Sequence, residues 1–275
     1  MREITLGQYY PVKSPVHSLD PRTKILATVI LIASTFICKT FLGLLICALF
    51  ICIVAFIGKI PFRKMLSSLK AVYFILIFTF LLNVFFFKDG QALFSWGIIT
   101  VTKGGIIRAL FMAIRLMLLI VGAGLLTFTT SPIELTDGLE KLMSPLKHVG
   151  FPAHEIAMMM SIALRFIPIL TDETDKIMKA QSARGAVFDE GSLIKRAKAI
   201  VALLIPLLAS SFHRAIELAS AMEARCYHGG EGRTRLKVLK MTKKDLWAFA
   251  VLTVFIAFAF ADSLFLSKIF SFLAG

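Results

Sequence analysis

Apolar residues group along the chain into runs long enough to cross a lipid bilayer. Residues 25–58 are almost uncharged and are interrupted only at 38–40, which predicts two short spans joined by a tight turn. Further runs predict spans at 71–87, 106–129 and 246–266. Since about 20 mainly apolar residues cross about 30 Å of hydrocarbon as a helix, the pattern predicts an all-α membrane protein with about five transmembrane helices.

The basic residues alternate between the two sides of this arrangement. The arm before the first span has four Lys or Arg, the loop at 59–70 has four, and the segment 131–244 has seventeen. The loops on the other side have only Lys39, Lys88, Lys103 and Lys268. Because Lys and Arg accumulate on the cytoplasmic side, the N-terminus and residues 131–244 are predicted to be cytoplasmic, and the C-terminus to be outside.

The predicted cytoplasmic segment has the periodicity of about three helices. A short one, "SPIELTDGLEKLMSPLK", opens with Ser131 as N-cap, Pro132 at the first position and Glu134 as capping-box partner. Two long ones are predicted at 152–184 and 193–227, with kinks at Pro168 and Pro206. The predicted domains are therefore 1–130 (arm and spans one to four), 131–244 (cytoplasmic helices) and 245–275 (span five).

Both long helices are predicted to end on Ala-Arg. The first ends at Ala183, Arg184 and Gly185, and the second at Ala224, Arg225 and Cys226. A basic residue followed by glycine is an ordinary helix terminus, so C-terminal capping is one interpretation. The other is docking, because small neighbours leave each guanidinium accessible to a carboxylate in a partner's pocket.

Composition and motifs exclude several functional classes. The chain is 57% hydrophobic with a net charge of +14, and its charges lie between apolar runs and are not interleaved with aromatic residues as in nucleic-acid-binding faces. It has no GxxxxGK[ST] loop, HExxH, GxSxG or CxxC motif, so we expect no catalytic, cofactor or metal site and no enzyme activity.

The sequence also predicts the surroundings of several individual charged residues. Within the fourth predicted span, Arg108 is expected to snorkel towards the membrane surface, and Arg115 to be buried against a carboxylate or backbone carbonyls. On the second long helix, Glu217 is expected to pair with Arg214 within the helix.

Four segments resemble the transmembrane (T) component of energy-coupling factor transporters, the EcfT/CbiQ family. They are "SLDPRTKI", "SPIELTDGLEKLMSPLK", "ALRFIPILTDETDKIMKAQSARG" and "AIELASAMEARCY". The resemblance implies that Ala183-Arg184-Gly185 and Ala224-Arg225-Cys226 end coupling helices that dock into two ABC-type ATPases. Cys226 departs from the family's Ala-Arg-Gly pattern.

The resemblance further implies a non-catalytic subunit of a vitamin or micronutrient importer in a bacterial cell membrane. ATP would be bound by the partner ATPases, and the substrate by a membrane S component. Two other readings remain at this point: a stand-alone secondary transporter, for which inverted repeats and broken helices would be expected, and a membrane-bound scaffold or enzyme.

Overall fold

The computed structural model describes residues 9–87, 92–96, 99–186, 188, 192–229, 239 and 241–266. Seven of the basic residues counted above lie outside these ranges: Arg2, Lys88, Arg233, Arg235, Lys237, Lys240 and Lys268. The chain divides into two compact units. The bundle unit comprises the described residues of Thr5–Leu139 and Leu239–Gly275, and the insert unit those of Glu140–Val238.

The bundle unit is built from helices. They are α1 (Pro21–Ile37), α2 (Phe41–Ile57), α3 (Phe62–Lys70), α4 (Tyr73–Phe86), α5 (Lys103–Thr129) and α9 (Lys243–Ala261), the last followed by a π-helical turn at Asp262–Leu266. The helix α6 (Pro132–Met143) begins in this unit. The insert unit contains a 3-10 helix (Ser144–Val149), α7 (Ala153–Ala183) and α8 (Leu193–Ala224).

Side-chain caps fix where the first helices begin. Asp20 accepts a hydrogen bond from the amide of Arg22 ahead of Pro21, and Thr40 accepts one from the amide of Gly43. The break between α1 and α2 is held by Asp262, which is fully buried and accepts from the amides of Lys39 (3.0 Å) and Thr40 (3.3 Å). A carboxylate at a helix N-terminus accepts from N–H groups that lack intrahelical partners and interacts favourably with the helix dipole. Asp262 therefore stabilises the predicted tight turn at 38–40.

The hydrophobic core of the bundle unit joins α1, α2, α5 and α9. It includes Leu31, Leu44, Ile51 and Phe128. The Phe50 and Phe255 rings stack on each other with centroids 4.5 Å apart. Many other apolar side chains of the bundle unit are exposed, for example Phe56 in α2 (85%) and Phe74 in α4 (80%), which is the pattern of a surface that faces lipid.

The all-α membrane fold is confirmed, with one small addition. Between α4 and α5 lies an antiparallel hairpin of β1 (Ala92–Trp96) and β2 (Ile99–Thr102), with an irregularity between Ala92 and Phe94. The sequence did not predict these strands, because they are short and lie between two long apolar runs.

Helix length and composition identify the candidate membrane spans. Within the described residues, α5, α7, α8 and the helical stretch Lys243–Leu264 are long and apolar enough, and α3 with α4 makes a fifth if this pair, bent by 65°, is one span. The helix α2 is apolar but has 17 residues. Length and composition therefore do not separate α7 and α8 from spans, and their expected cytoplasmic location stays a prediction.

Gly43 allows α2 to approach the buried carboxylate of Asp262. A Cβ atom at this position would lie 2.6 Å from Oδ2 of Asp262 and 2.9 Å from Cβ of Cys38. We expect Gly43→Ala to destabilise the protein by about 1–3 kcal/mol, the usual range for overpacking. Thermal unfolding in detergent measures this, with Gly124→Ala as the control because its Cβ would make only ordinary contacts at 3.5 Å or more. Equal unfolding midpoints for the two variants would contradict the close approach.

Candidate functional site

The first Ala-Arg end closes α7 with a left-handed cap. Arg184 is the C-cap residue and Gly185 follows with φ of +88°. The amide of Ala186 donates to the carbonyl of Gln181 (3.0 Å), and that of Gly185 to the carbonyl of Ser182 (3.0 Å). This pair of bonds is the Schellman motif, which ends the helix sharply.

The second Ala-Arg end closes α8 with the same hydrogen bonds. Arg225 is the C-cap residue, the amide of Tyr227 donates to the carbonyl of Met222 (3.0 Å), and that of Cys226 to the carbonyl of Glu223 (2.8 Å). Cys226 takes the place of Gly185 and has φ of +56°. The departure from glycine therefore leaves the backbone geometry of the cap intact.

Cys226 holds a left-handed conformation without the freedom of glycine. Such a conformation costs about 1–2 kcal/mol for a residue with a Cβ atom. We expect Cys226→Gly to stabilise the end of α8 by about 1 kcal/mol and to leave docking unchanged. Hydrogen exchange of the amides of residues 222–227 measures this. Slower exchange in the variant is the expected result, and faster exchange would show that the thiol itself stabilises the cap.

Both arginine side chains are accessible to a partner. Ala183, Arg184, Ala224 and Arg225 are exposed, and among the described residues neither arginine takes part in an ion pair. A basic residue at a helix C-terminus interacts favourably with the dipole, so capping explains part of each position. It does not use the guanidinium's five N–H donors, which stay available for docking.

A polar contact joins α7 to α8. Arg214 donates to Oε2 of Glu173 at 2.8 Å, and the hydroxyl of Ser210 donates to Oε1 of the same carboxylate. The expected pairing of Arg214 with Glu217 is therefore wrong, because Arg214 is turned towards the neighbouring helix. Glu217 lies 3.3 Å from His213 instead.

The contact between the two helices is equally far from both Ala-Arg ends. Glu173 precedes Arg184 by eleven residues, and Arg214 precedes Arg225 by eleven residues. At 1.5 Å per residue each arginine lies about 16 Å along its helix from the contact. We call the parts of α7 and α8 between this contact and their C-terminal ends the two arms. The arms are equal in length, and each ends in the same kind of cap.

The long helices expose apolar as well as basic residues. On α7 the side chains of Met159 (58%) and Ile167 (41%) are exposed, and on α8 those of Ile205 (63%) and Phe212 (69%). Exposed apolar patches of this kind mark protein or membrane interaction surfaces. The insert unit alone does not bury them.

The two arginines of the fourth predicted span have different environments in α5. Arg115 is half-buried and donates to the carbonyl of Cys38 at 2.6 Å, so the expected contact with a backbone carbonyl is confirmed. Arg108 is exposed and lies over the ring of Phe87, 3.9 Å from its centroid. Cation–π stacking suits an arginine beside an aromatic ring; its snorkelling stays a prediction.

The described residues contain no group of three or more His, Cys, Asp or Glu side chains able to hold a metal ion. Of the histidines, His154 contacts Glu140 at 3.0 Å and His17 contacts Ser14 at 2.7 Å. These are local contacts between neighbouring segments.

Comparison with known proteins identifies the family. The sequence model of the cobalt transport protein family CbiQ matches residues 12–236. The energy-coupling factor transporter transmembrane protein EcfT of Ruminiclostridium cellulolyticum is 52% identical over 93% of this chain and 95% of its own length. The EcfT proteins of Clostridium kluyveri and Bacillus subtilis are 51% and 45% identical, over 90% and 94% of this chain and 92% and 98% of their own lengths.

Matches over nearly the full length of these relatives, together with four to five apolar helices of sufficient length among the described residues, make the chain a multi-pass membrane subunit of a transporter. It belongs to the EcfT/CbiQ family of transmembrane proteins of energy-coupling factor transporters.

Proposed function

We propose that this chain is the energy-coupling membrane component of an ECF-type ABC importer and docks two ABC-type ATPase subunits through Arg184 and Arg225. The observation that supports this most directly is the repetition of one cap. Two helices in one unit end on exposed Ala-Arg with the same pair of backbone hydrogen bonds. Two equivalent ends suit two equivalent partner subunits.

Arginine suits this docking for a chemical reason. Its planar guanidinium can donate two parallel hydrogen bonds to a carboxylate, which fixes direction as well as distance. The small side chains of Ala183 and Ala224 let a pocket close around the guanidinium. The residues at both ends therefore form the proposed docking sites: Ala183, Arg184, Gly185, Ala224, Arg225 and Cys226.

The helices can transmit movement because they are long and joined to each other. ATP is bound by the partner subunits, and their closure would shift both arginines together. The Glu173–Arg214 contact (2.8 Å) connects α7 to α8 eleven residues before each arginine tip, so movement of one arm is resisted by the other. Coupled rigid elements of this kind convert a local change into a larger one.

A second partner would cover the apolar faces of the insert unit. We place there a membrane S component that binds a vitamin or another micronutrient, because exposed side chains such as Phe212 and Ile205 suit an apolar partner. The distribution of Lys and Arg supports a cytoplasmic N-terminus, a cytoplasmic segment 131–244, with the arginine tips inside the cell, and an external C-terminus.

Co-purification tests the proposal. The tagged chain is isolated from its native membranes in mild detergent, and its partners are identified by mass spectrometry. We expect nucleotide-binding subunits and a small apolar membrane protein. Uptake of a substrate by the chain alone in lipid vesicles, with no nucleotide-binding subunit present, would instead support the stand-alone secondary transporter.

A further inference from the structure

A buried lysine joins α1 to the end of α5. Lys24 is only 5% exposed, and its ammonium donates to the carbonyls of Thr129 (3.0 Å) and His17 (2.9 Å). Thr129 is the last residue of α5. The final carbonyls of a helix lack intrahelical partners and form its negative pole, so this ammonium satisfies one of them where the helix dipole also favours a cation.

A buried aspartate joins α1 to the beginning of α9. Asp245 is 1% exposed, and its Oδ1 accepts from the amide of Asp20 at 2.8 Å. Its Oδ2 accepts from the amide (2.7 Å) and the hydroxyl (2.8 Å) of Thr242, which completes a capping box. One carboxylate therefore caps α9 and holds the residue that caps α1.

The described N-terminal segment before α1 packs onto the same end of α5. The amide of Tyr10 donates to the carbonyl of Phe128 at 3.0 Å, and Nε2 of His17 donates to the carbonyl of Tyr10 at 3.0 Å. Burial lowers the pKa of His17, which favours the neutral ring that donates from one nitrogen and accepts from the other. With this ring form, the hydroxyl of Ser14 donates to Nδ1 of His17 (2.7 Å).

These contacts lie where the chain leaves and re-enters the bundle unit. The chain leaves it through α5 and α6 into the insert unit, and re-enters it at residue 239, just before α9. We call the end of α5 together with α6 the outgoing stem, and Thr242 together with the start of α9 the returning stem. Lys24 holds the outgoing stem at Thr129, and Asp245 holds the returning stem to Asp20. We name the five residues the stem clasp: Asp20, Lys24, Thr129, Thr242 and Asp245.

The middle of α6 is held against the same turn of α1. A Cβ atom at Gly138 would lie 2.9 Å from Cβ of Pro21, so the two backbones approach closely. Glu134, in the first turn of α6, also acts electrostatically on the Lys24 ammonium, as do Asp20 and Asp245. Both covalent connections to the insert unit are thus tied to the first two turns of one helix.

We propose that Lys24 and Asp245 are positioning residues for energy coupling, which hold the two stems to α1 so that movement of the insert unit reaches the membrane helices. The proposal rests on the proposed function. Without the clasp, the stems would bend separately and absorb the movement. The partner subunits would still bind at the arginine tips and hydrolyse ATP, but less of that work would reach the substrate-binding component.

Lys24→Met tests the proposal, because it keeps the apolar stem of the side chain and removes the ammonium. The complete transporter is reconstituted in lipid vesicles, and three quantities are measured: association of the nucleotide-binding subunits, ATP hydrolysis, and uptake per ATP hydrolysed. We expect unchanged association, continued hydrolysis, and an about tenfold or larger fall in uptake per ATP. The control is Lys243→Met, which removes an exposed lysine two residues before Asp245.

Asp245→Asn provides a second variant if Lys24→Met does not assemble. It keeps one acceptor oxygen and loses the other, so it should lower uptake per ATP in the same direction. Wild-type uptake per ATP in an assembled variant would overturn the proposal. So would parallel losses of association, hydrolysis and uptake in both variants, since these indicate a purely structural role. Failure of the unchanged chain to associate with any nucleotide-binding subunit overturns the proposed function, and this proposal with it.

Discussion

Replacing Arg184 and Arg225 together with glutamate is expected to abolish uptake and to release the nucleotide-binding subunits from the membrane component. Each arginine is exposed at the end of a rigid helix. If each docks into a carboxylate-lined pocket, a glutamate there replaces attraction by repulsion. Loss of one such anchoring side chain typically weakens binding by about 2 kcal/mol or more, which is about thirtyfold in Kd.

The single variants should separate the contributions of the two tips. Because the caps have the same backbone geometry, we expect Arg184→Glu and Arg225→Glu each to weaken association, and to similar extents. The measurement is pull-down of the nucleotide-binding subunits at increasing salt. Arg165→Glu and Lys198→Glu are matched controls, because they reverse exposed charges on the same helices away from the tips. Undiminished pull-down by the double variant would contradict docking through the arginines.

Reversing either charge of the contact between α7 and α8 is expected to lower uptake strongly, and exchanging the two charges is expected to restore much of it. Arg214→Glu places two carboxylates together where Glu173 now accepts at 2.8 Å. Like charges at this distance repel, so the helices would separate at the point from which both arms extend. The exchange of Glu173→Arg with Arg214→Glu brings opposite charges back together.

Association with the nucleotide-binding subunits distinguishes this defect from loss of docking. Each arm keeps its own tip in the single variants, so binding should fall less than uptake does. Glu217→Arg is the control on the same helix, because Glu217 contacts only the exposed His213 in the described ion pairs. Failure of the exchanged pair to recover any uptake would indicate that the hydroxyl of Ser210, which also donates to Glu173, decides the contact.

The sequence predicted those features that depend on neighbouring residues. Periodicity and glycine signals placed the ends of α7 and α8 within a few residues, and the capping box of Ser131 and Glu134 is present, with bonds of 3.4 and 3.3 Å. The helices continue through Pro168 and Pro206; the kinks expected there stay predictions.

The sequence did not predict contacts between distant segments. Lys24 reaches Thr129 across 105 positions, and Asp245 reaches Asp20 across 225. From the sequence, Lys24 could be used only as one of the basic residues that predict the cytoplasmic side. Charge patterning carries no information on the partner of a side chain. For the same reason Arg214 was assigned to Glu217 on its own helix, whereas packing of α7 against α8 brings Glu173 closer.

The left-handed cap at Cys226 is an intermediate case. A sequence that ends Ala-Arg-Cys lacks the glycine that favours positive φ, so the pattern alone left the second end in doubt. The neighbouring backbone decides it, because the amides of Cys226 and Tyr227 both find carbonyl partners only if the chain turns there. Hydrogen bonding thus outweighs the modest conformational cost.

Photo-crosslinking at the two helix ends tests the central claim most directly. Ser182 and Glu223 occupy the same position in the two caps, are exposed, and contribute only backbone carbonyls to the cap bonds. A photoreactive amino acid at either position leaves the arginines in place. We predict crosslinks from both positions to nucleotide-binding subunits, and none from position 198. Crosslinks from 182 and 223 to lipid or to other proteins alone would contradict the account.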